Sequence, residues 1–291
     1  RRLVGPVTNY ISGVQRIEVD YGSDLQAMHR FAERYNISDP TRWKATDRLT
    51  GFCVLMHRSS LQRIGYLDEG FREGNCEDDD YGLRARMLGM QLWVAGDTFI
   101  HHVGSVSMRS LGEERLQAVN AHNAAYLGAK WGSADLLMAA VRQAAGDRLL
   151  SAAELYPTHA VIRASGGRMY WLEGGVRYRI PPADRYAAAV SLMTLRNIPY
   201  GGELSFEDWS ARFNAAESGA GGLLPGSLVG DAAGTVFQYD GHALRRFAGP
   251  QAIAGWGLGD RKVFQLRPDE LRQFPEGLPI LTPETIAAGN L

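Results

Sequence analysis

The feature that most constrains the fold of this 291-residue chain is a self-similarity at an offset of 67 residues. Met169-Tyr170-Trp171-Leu172-Glu173-Gly174, followed by Arg179-Ile180, is echoed by Val236-Phe237-Gln238-Tyr239-Asp240-Gly241, followed by Arg246-Phe247. Short apolar and aromatic runs broken by an acid-glycine pair predict a β-hairpin in each copy. A short helical piece and a further apolar segment follow, Asp184 to Thr194 in the first copy and Pro250 to Ile253 in the second. The copies close with Leu224-Pro225-Gly226 and Phe274-Pro275-Glu276-Gly277. Tyr170, Trp171, Tyr178, Phe237, Tyr239 and Trp256 are either a carbohydrate-binding face or the small core that each hairpin needs. Arg179 and Arg246 occupy matching places, with Asp208 and with Asp269 or Glu270 as candidate partners.

The amino-terminal part has a different character. Thr50 to Met56 is a nearly unbroken apolar run and predicts a strand buried on both faces. Ser59 or Ser60 caps a short helix through Leu61 and Ile64, stopped by Gly65. From Asp79 the pattern is helical, with Leu83, Met87 and Met90 on one side and Gly89 at the end. Leu92 to Ala95 reads as a strand, Gly96-Asp97 as a turn, and Thr98 to His101 as a renewed extension. Ser23 with Gln26 reads as a capping box for a helix through Leu25, Met28, Phe31 and Ala32. Strand, helix and strand in this order favour an α/β layer architecture.

The chemistry concentrates in Glu77-Asp78-Asp79-Asp80 and in His101-His102, the second histidine lying 24 residues after Asp78. Carboxylates at a helix start complement its dipole and cap its free amides. Four of them exceed what one cap needs, and mutual repulsion calls for a cation or proton. Carboxylates and imidazoles gathered from the ends of different elements suit general-base or metal-assisted chemistry. On a strand the two histidines point to opposite faces, so one of them faces a site.

Four strings carry a resemblance: Leu49-Thr50-Gly51-Phe52-Cys53, Ile64 to Phe71, Glu77-Asp78-Asp79-Asp80-Tyr81-Gly82-Leu83-Arg84, and His101-His102-Val103-Gly104-Ser105. In this order they resemble the second half of a family 2 glycosyltransferase of the GT-A fold. Val4 to Asn9 is similar to the loop after the sugar-nucleotide half, and Asn123 through Tyr126 to Lys130-Trp131 is similar to the closing helix. The resemblance covers roughly residues 1–132. It implies an inverting, hexosyltransferase-like transfer from a nucleotide-sugar donor to a glycan or other hydroxyl acceptor, in bacterial cell-surface polysaccharide synthesis.

By the same resemblance Asp78 is the general base, and Glu77 shapes its surroundings. Asp80, Gly51 and Trp43 lie on the acceptor side, Trp43 as a stacking platform or as packing under a loop. His102, just before a Gly/Ser loop, approaches a divalent cation, Mg or Mn, whose main ligands lie in the amino-terminal half. A complete GT-A domain opens with a βαβ half ending in an Asp-x-Asp element, and nothing of that kind precedes the first string. The chain opens on Arg1-Arg2. It is therefore expected to be a piece of a longer protein, inactive alone, with an open sheet near residues 1–10 and 50–56. A non-catalytic glycan-binding or assembly module on transferase-like scaffolding is the alternative.

The fold class expected is α/β: a partial GT-A sheet layer at 1–132, a helical connector at 133–157, and β-rich repeats at 158–229 and 230–291. A net charge of −1 with dispersed arginines argues against nucleic acid as a partner. No apolar stretch reaches membrane-spanning length. A cytoplasmic location, free or at the inner face of the membrane, fits the supply of sugar nucleotides. Cys53 reads as a small buried hydrophobe and Cys76 as a loop residue beside the acids.

Overall fold

The computed structural model describes residues 2–104, 110–218 and 222–286. Ser105 of the His-His-Val-Gly-Ser string lies outside them. The described residues form a mixed α/β chain with three sheets, each holding parallel and antiparallel pairs. Two compact units divide it: Arg1–Ile64 with Phe71–Ala124, and Gly65–Gly70 with Ala125–Leu291. The boundary expected at residue 132 thus falls eight residues earlier, inside a long helix (α4, Glu113–Trp131). No helix among the described residues is long and apolar enough to cross a membrane.

In the first unit β1 (Arg2–Val7) lies parallel to β4 (Gln91–Phe99), β2 (Lys44–Thr46) flanks β4, and β3 (Leu55–Met56) flanks β1. The edge expected along β1 is therefore occupied on both sides. The sheet ends instead on two-residue β3, whose Leu55 is 74% exposed. Only Leu55 and Met56 of the apolar run Thr50–Met56 are strand. Gly51 gives its N–H to a side chain rather than to a ladder. The turn expected at Gly96-Asp97 is a bulge in one continuous strand: Pro6 pairs with Ala95, and the next residue, Val7, with Phe99. The extra residues let Asp97 collect the N–H of Asp39 at 2.9 Å and the indole N–H of Trp43 at 2.7 Å.

Helix α1 (Leu25–Tyr35) is capped by Asp24, which accepts from the N–H groups of Gln26 and Ala27, so the Ser23 capping box does not form. Its Phe31 and Tyr35 pack on Phe99. Helix α2 (Arg58–Ile64) contains Ser59 and Ser60 rather than being capped by them. The His57 ring accepts the Ser59 N–H in that role. Helix α3 (Glu77–Met87) starts two residues before the expected Asp79. It buries Tyr81, Ala85 and the expected Met87, with Met90 buried just beyond its end and Leu83 only partly buried, and Gly82 lets it approach Leu92.

The second unit takes Gly65–Gly70, the last turns of α4 from Ala125 on and α5 (Ala134–Ala145), and then carries two sheets of one pattern. Strands β5 (Ala160–Arg163), β6 (Met169–Glu173), β7 (Val176–Ile180), β8 (Ala188–Ala189) and β9 (Tyr200–Glu203) lie in the order β8-β5-β6-β7-β9. Strands β10 (Leu228–Gly230), β11 (Val236–Tyr239), β12 (Leu244–Arg246) and β13 (Val263–Gln265) lie in the order β13-β10-β11-β12. The senses agree: β5 and β10 are antiparallel to the next strand and parallel to β8 and β13. Parallel bridges from Leu244 to Glu276 and from Phe247 to Ile280 stand where β9 pairs with β7. His159 and Gly226, 67 residues apart, both have positive φ, and their N–H groups reach Leu172 O and Tyr239 O. Leu224-Pro225-Gly226 therefore opens the second sheet rather than closing the first. Ile198-Pro199 and Phe274-Pro275 precede the matching parallel segments.

The two sheets share a core cluster, in which Ile162, Tyr170 and Leu172 pack with Leu228, Phe247, Trp256 and Ile280, and each sheet has a further cluster of its own, around Trp171 and Trp209 in the first and around Val229 and Phe237 in the second. Tyr170, Trp171, Phe237 and Trp256 are buried, and Tyr178 and Tyr239 pack against core clusters, so these six rings are packing rather than an exposed carbohydrate face. Arg179 pairs with Glu203 and Arg246 with Glu276, not with Asp208, Asp269 or Glu270.

Candidate functional site

The parallel pair β1 and β4 ends in two loops held to each other. The side chain of Asn9 accepts the His102 N–H at 2.9 Å and donates to His102 O at 3.2 Å. The carboxyl ends of parallel strands are where open α/β sheets place their ligands. His102 Nδ1 lies 2.7 Å from Tyr10 O. A carbonyl only accepts, so Nδ1 carries the proton, and in the neutral ring the Nε2 lone pair is left for a ligand. His101 is turned elsewhere, its Nδ1 2.7 Å from the Tyr21 hydroxyl. The two adjacent histidines thus take different partners.

The acidic run reaches the same loops through Gly51-Phe52. Asp78 Oδ2 accepts the Gly51 N–H at 2.8 Å, and a Cβ at Gly51 would stand 3.1 Å from the Asp78 Cβ. The next residue, Phe52, stacks its ring on His102, centroids 5.2 Å apart and planes 22° apart. Two consecutive residues therefore connect the Asp78 carboxylate to the His102 imidazole. Tyr10 also meets that imidazole, in an edge-to-face arrangement with centroids 6.1 Å apart, and it is 49% exposed.

The four acids do different things. Asp79 forms a two-point ion pair with Arg48, at 2.5 and 3.2 Å, and that guanidinium reaches Ser12 Oγ at 3.3 Å. Asp80 is fully buried against Arg84 at 2.9 Å. The acceptor-side role expected of Asp80 has no surface to act through; its work is packing. Glu77 is half-buried, and its Oε2 has no hydrogen-bond partner among the described residues. Burial, and then the charges of Asp78 and Asp79, push its carboxyl above the usual range. Asp78 keeps one oxygen on Gly51 and the other on the Asp79 N–H, and is part-exposed.

Trp43 is engaged elsewhere among the described residues, its indole N–H holding the β4 bulge through Asp97. Donors from Asp39, Trp43 and Thr98 hold the Asp97 carboxyl below the usual carboxylate range. A cavity of about 480 Å³ opens nearby in chain terms, lined by Val7, Tyr35, Arg42, Lys44, Thr46 and Val94. That volume lies in the range of small-ligand sites. Among the described residues no three His, Cys, Asp or Glu side chains gather to hold a metal ion. His102 Nε2 offers a single ligand, so these residues alone do not make the divalent-cation site.

Sequence reasoning missed three participants. Phe52 is legible only as an apolar neighbour of Gly51, and Arg48 as one dispersed arginine. Asn123 on α4 holds the loop before the acids, from 48 to 51 residues away. Comparison of the chain with protein families, with curated proteins and with solved structures finds no match.

Proposed function

We propose that the first unit is the acceptor-side half of an inverting, GT-A-like glycosyltransferase, with Asp78 as the general base. The observation that carries the reading is the link Asp78–Gly51–Phe52–His102 at the carboxyl ends of β1 and β4. A part-exposed carboxylate beside an aromatic face and an imidazole suits a sugar hydroxyl: the carboxylate takes its proton while the ring covers C–H surface. As the acceptor oxygen attacks the anomeric carbon of a nucleotide sugar, the hydroxyl proton passes to Asp78 and the diphosphate leaves. Glu77 and Asp79 hold like charge around Asp78, and Arg48 keeps Asp79 paired. A divalent ion, when bound, would neutralise the leaving nucleoside diphosphate, and the described residues would give it one ligand, His102.

The same reading takes the two matched sheets of the second unit as copies of one β-rich module that serves assembly rather than catalysis. Their aromatic rings are spent on core packing, Tyr170 and Trp256 in the shared cluster and the others in the cluster of each sheet. The donor half, a cytoplasmic setting and polysaccharide as product belong to the resemblance and stand as parts of this proposal.

The test is release of nucleoside diphosphate from a panel of nucleotide sugars, in the polypeptide as its gene encodes it, with and without glycan acceptors. Asp78→Asn should lower acceptor-dependent release about 10²–10⁴-fold, the span of general-base catalysis, while acceptor binding persists. Acceptor binding with no release in the parent protein would instead favour a glycan-binding module.

A further inference from the structure

We infer that Asn123 is the positioning residue for Asp78, acting by clasping the backbone-strained loop from which the acidic turn departs. The inference rests on the reading of Asp78 as the base and adds a residue to it. Asn75 and Cys76 stand in succession with φ of 68° and 72°, a left-handed pair in which neither residue is glycine. Asparagine tolerates that region, so the strain falls on Cys76, whose side chain disfavours it and which persists there only where its surroundings impose it. Cys76 is the residue before α3, has no side-chain cap bond, and its carbonyl accepts the Asp80 N–H at 3.0 Å. The direction in which Glu77, Asp78 and Asp79 leave the loop is thus set by this left-handed pair.

Asn123 imposes it. The residue is fully buried. Its Oδ1 accepts the Arg72 N–H at 2.9 Å, and its Nδ2 donates to Gly74 O at 2.8 Å, Asn75 O at 2.9 Å and Arg72 O at 3.3 Å. One turn earlier on the same helix, Asn120 Oδ1 accepts from the Asn75 side chain at 2.7 Å. Both asparagines lie three apart, on one face of α4. The buried amide thus accepts one backbone N–H and spends both of its own N–H groups on the carbonyls of Gly74 and Asn75, the longer contact to Arg72 O sharing one of them. It holds the carbonyl of Asn75, the first residue of the left-handed pair, and that of the residue before it. Without these bonds the pair would relax, the first turn of α3 would fray, and Asp78 would leave the Gly51 N–H.

The experiment uses the isotope-labelled chain without any substrate. In Asn123→Ala, amides of Cys76 to Asp80 and of Gly51 should exchange roughly tenfold faster or more, with the rest of the chain unchanged. The Gly51 amide signal, titrated against pH, reports the carboxylate it is bonded to, and its midpoint should move. Adding Cys76→Gly should restore slow exchange in part, because glycine adopts positive φ without a steric cost. Unchanged exchange and an unchanged Gly51 midpoint in Asn123→Ala would overturn the inference, as would a double variant no better than the single one. Should Asn123→Ala not fold, Cys76→Gly alone decides: a melting temperature raised by about 2–4 °C supports stored strain, and an unchanged or lower one contradicts it. These readouts involve no sugar, so their failure leaves the transfer reading standing, and loss of the transfer reading leaves the clasp standing.

Discussion

Asp68 and Asp78 lie ten residues apart in the chain, both inside strings that resemble the same enzyme family, and they have opposite fates. Asp68 is in the second unit, its side chain fully buried. It accepts from Gly70 N at 2.8 Å, Thr285 N at 3.0 Å, the Tyr126 hydroxyl at 3.2 Å and the buried Lys130 ammonium at 2.5 Å. Asp78 has two amide donors and part of its surface in solvent, and among the described residues the nearby Arg48 forms its ion pair with Asp79 instead. A carboxylate whose lone pairs are all taken by donors holds the fold. One with capacity left over, among like charges, can act on something else. A motif shows that an acid is present, and only the number of its donors shows which kind it is.

The largest effect that sharpens this contrast is on Asp68. Asp68→Ala removes the carboxylate opposite a buried ammonium and should destabilise the second unit by about 3–5 kcal/mol. Lys130→Met should cost less, because the neutral donors remain, and combining the two should recover part of the loss. Denaturant melts of the three variants check this order. If Asp68→Ala cost no more than Asp78→Asn, the division between holding and acting carboxylates would fail.

A smaller effect concerns acid stability. Burial, opposed by Glu173, with Arg261 and Arg212 adding to the depression, pushes the His159 ring down to about 4 from an ordinary 6.5. The unfolded chain takes up this proton near 6.5 and the folded chain only near 4. His159 therefore contributes no penalty above 6.5, and stability is lost as pH falls through that window. The loss should approach about 3 kcal/mol by pH 4. His159→Asn keeps the left-handed backbone, which asparagine tolerates, and should flatten the profile. Melting curves at several pH values would show whether the slope survives.

The smallest effect is at Glu77. Its folded-state proton affinity is raised, so its charged form costs stability at neutral pH, and the cost disappears as pH falls through the raised value. Glu77→Gln should stabilise by about 0.5–1 kcal/mol at pH 7, a figure reduced for its partial exposure. The gain should vanish in acid. A stabilisation independent of pH would point to packing rather than charge.

Much of this fold can be read from local pattern. The periodicity of 25–35 and 134–145, and the 67-residue self-similarity, correspond to helices α1 and α5 and to sheets of one pairing sense. Where pattern misleads, a tertiary partner has taken over a local group. Thr50–Met56 is apolar enough for a strand, yet Asp78 claims the Gly51 N–H and little ladder forms. Gly96-Asp97 reads as a turn, yet Asp97 is drawn to Asp39 and Trp43 and the strand continues around it. Within the candidate site, Asp78, Gly51 and His102 come together, whereas Asp80 is consumed by Arg84 and Trp43 by Asp97. Asn123 leaves no local trace, because every backbone group it holds is about fifty residues away in sequence.

The account depends on Asp78 and His102 answering to one ligand. An acceptor oligosaccharide titrated into the labelled chain, with the Gly51 amide and the His102 ring followed together, tests this directly. The prediction is that both signals shift along one binding curve, with His101 unmoved. Shifts confined to the second unit, or a His102 that stays still while Gly51 responds, would contradict it.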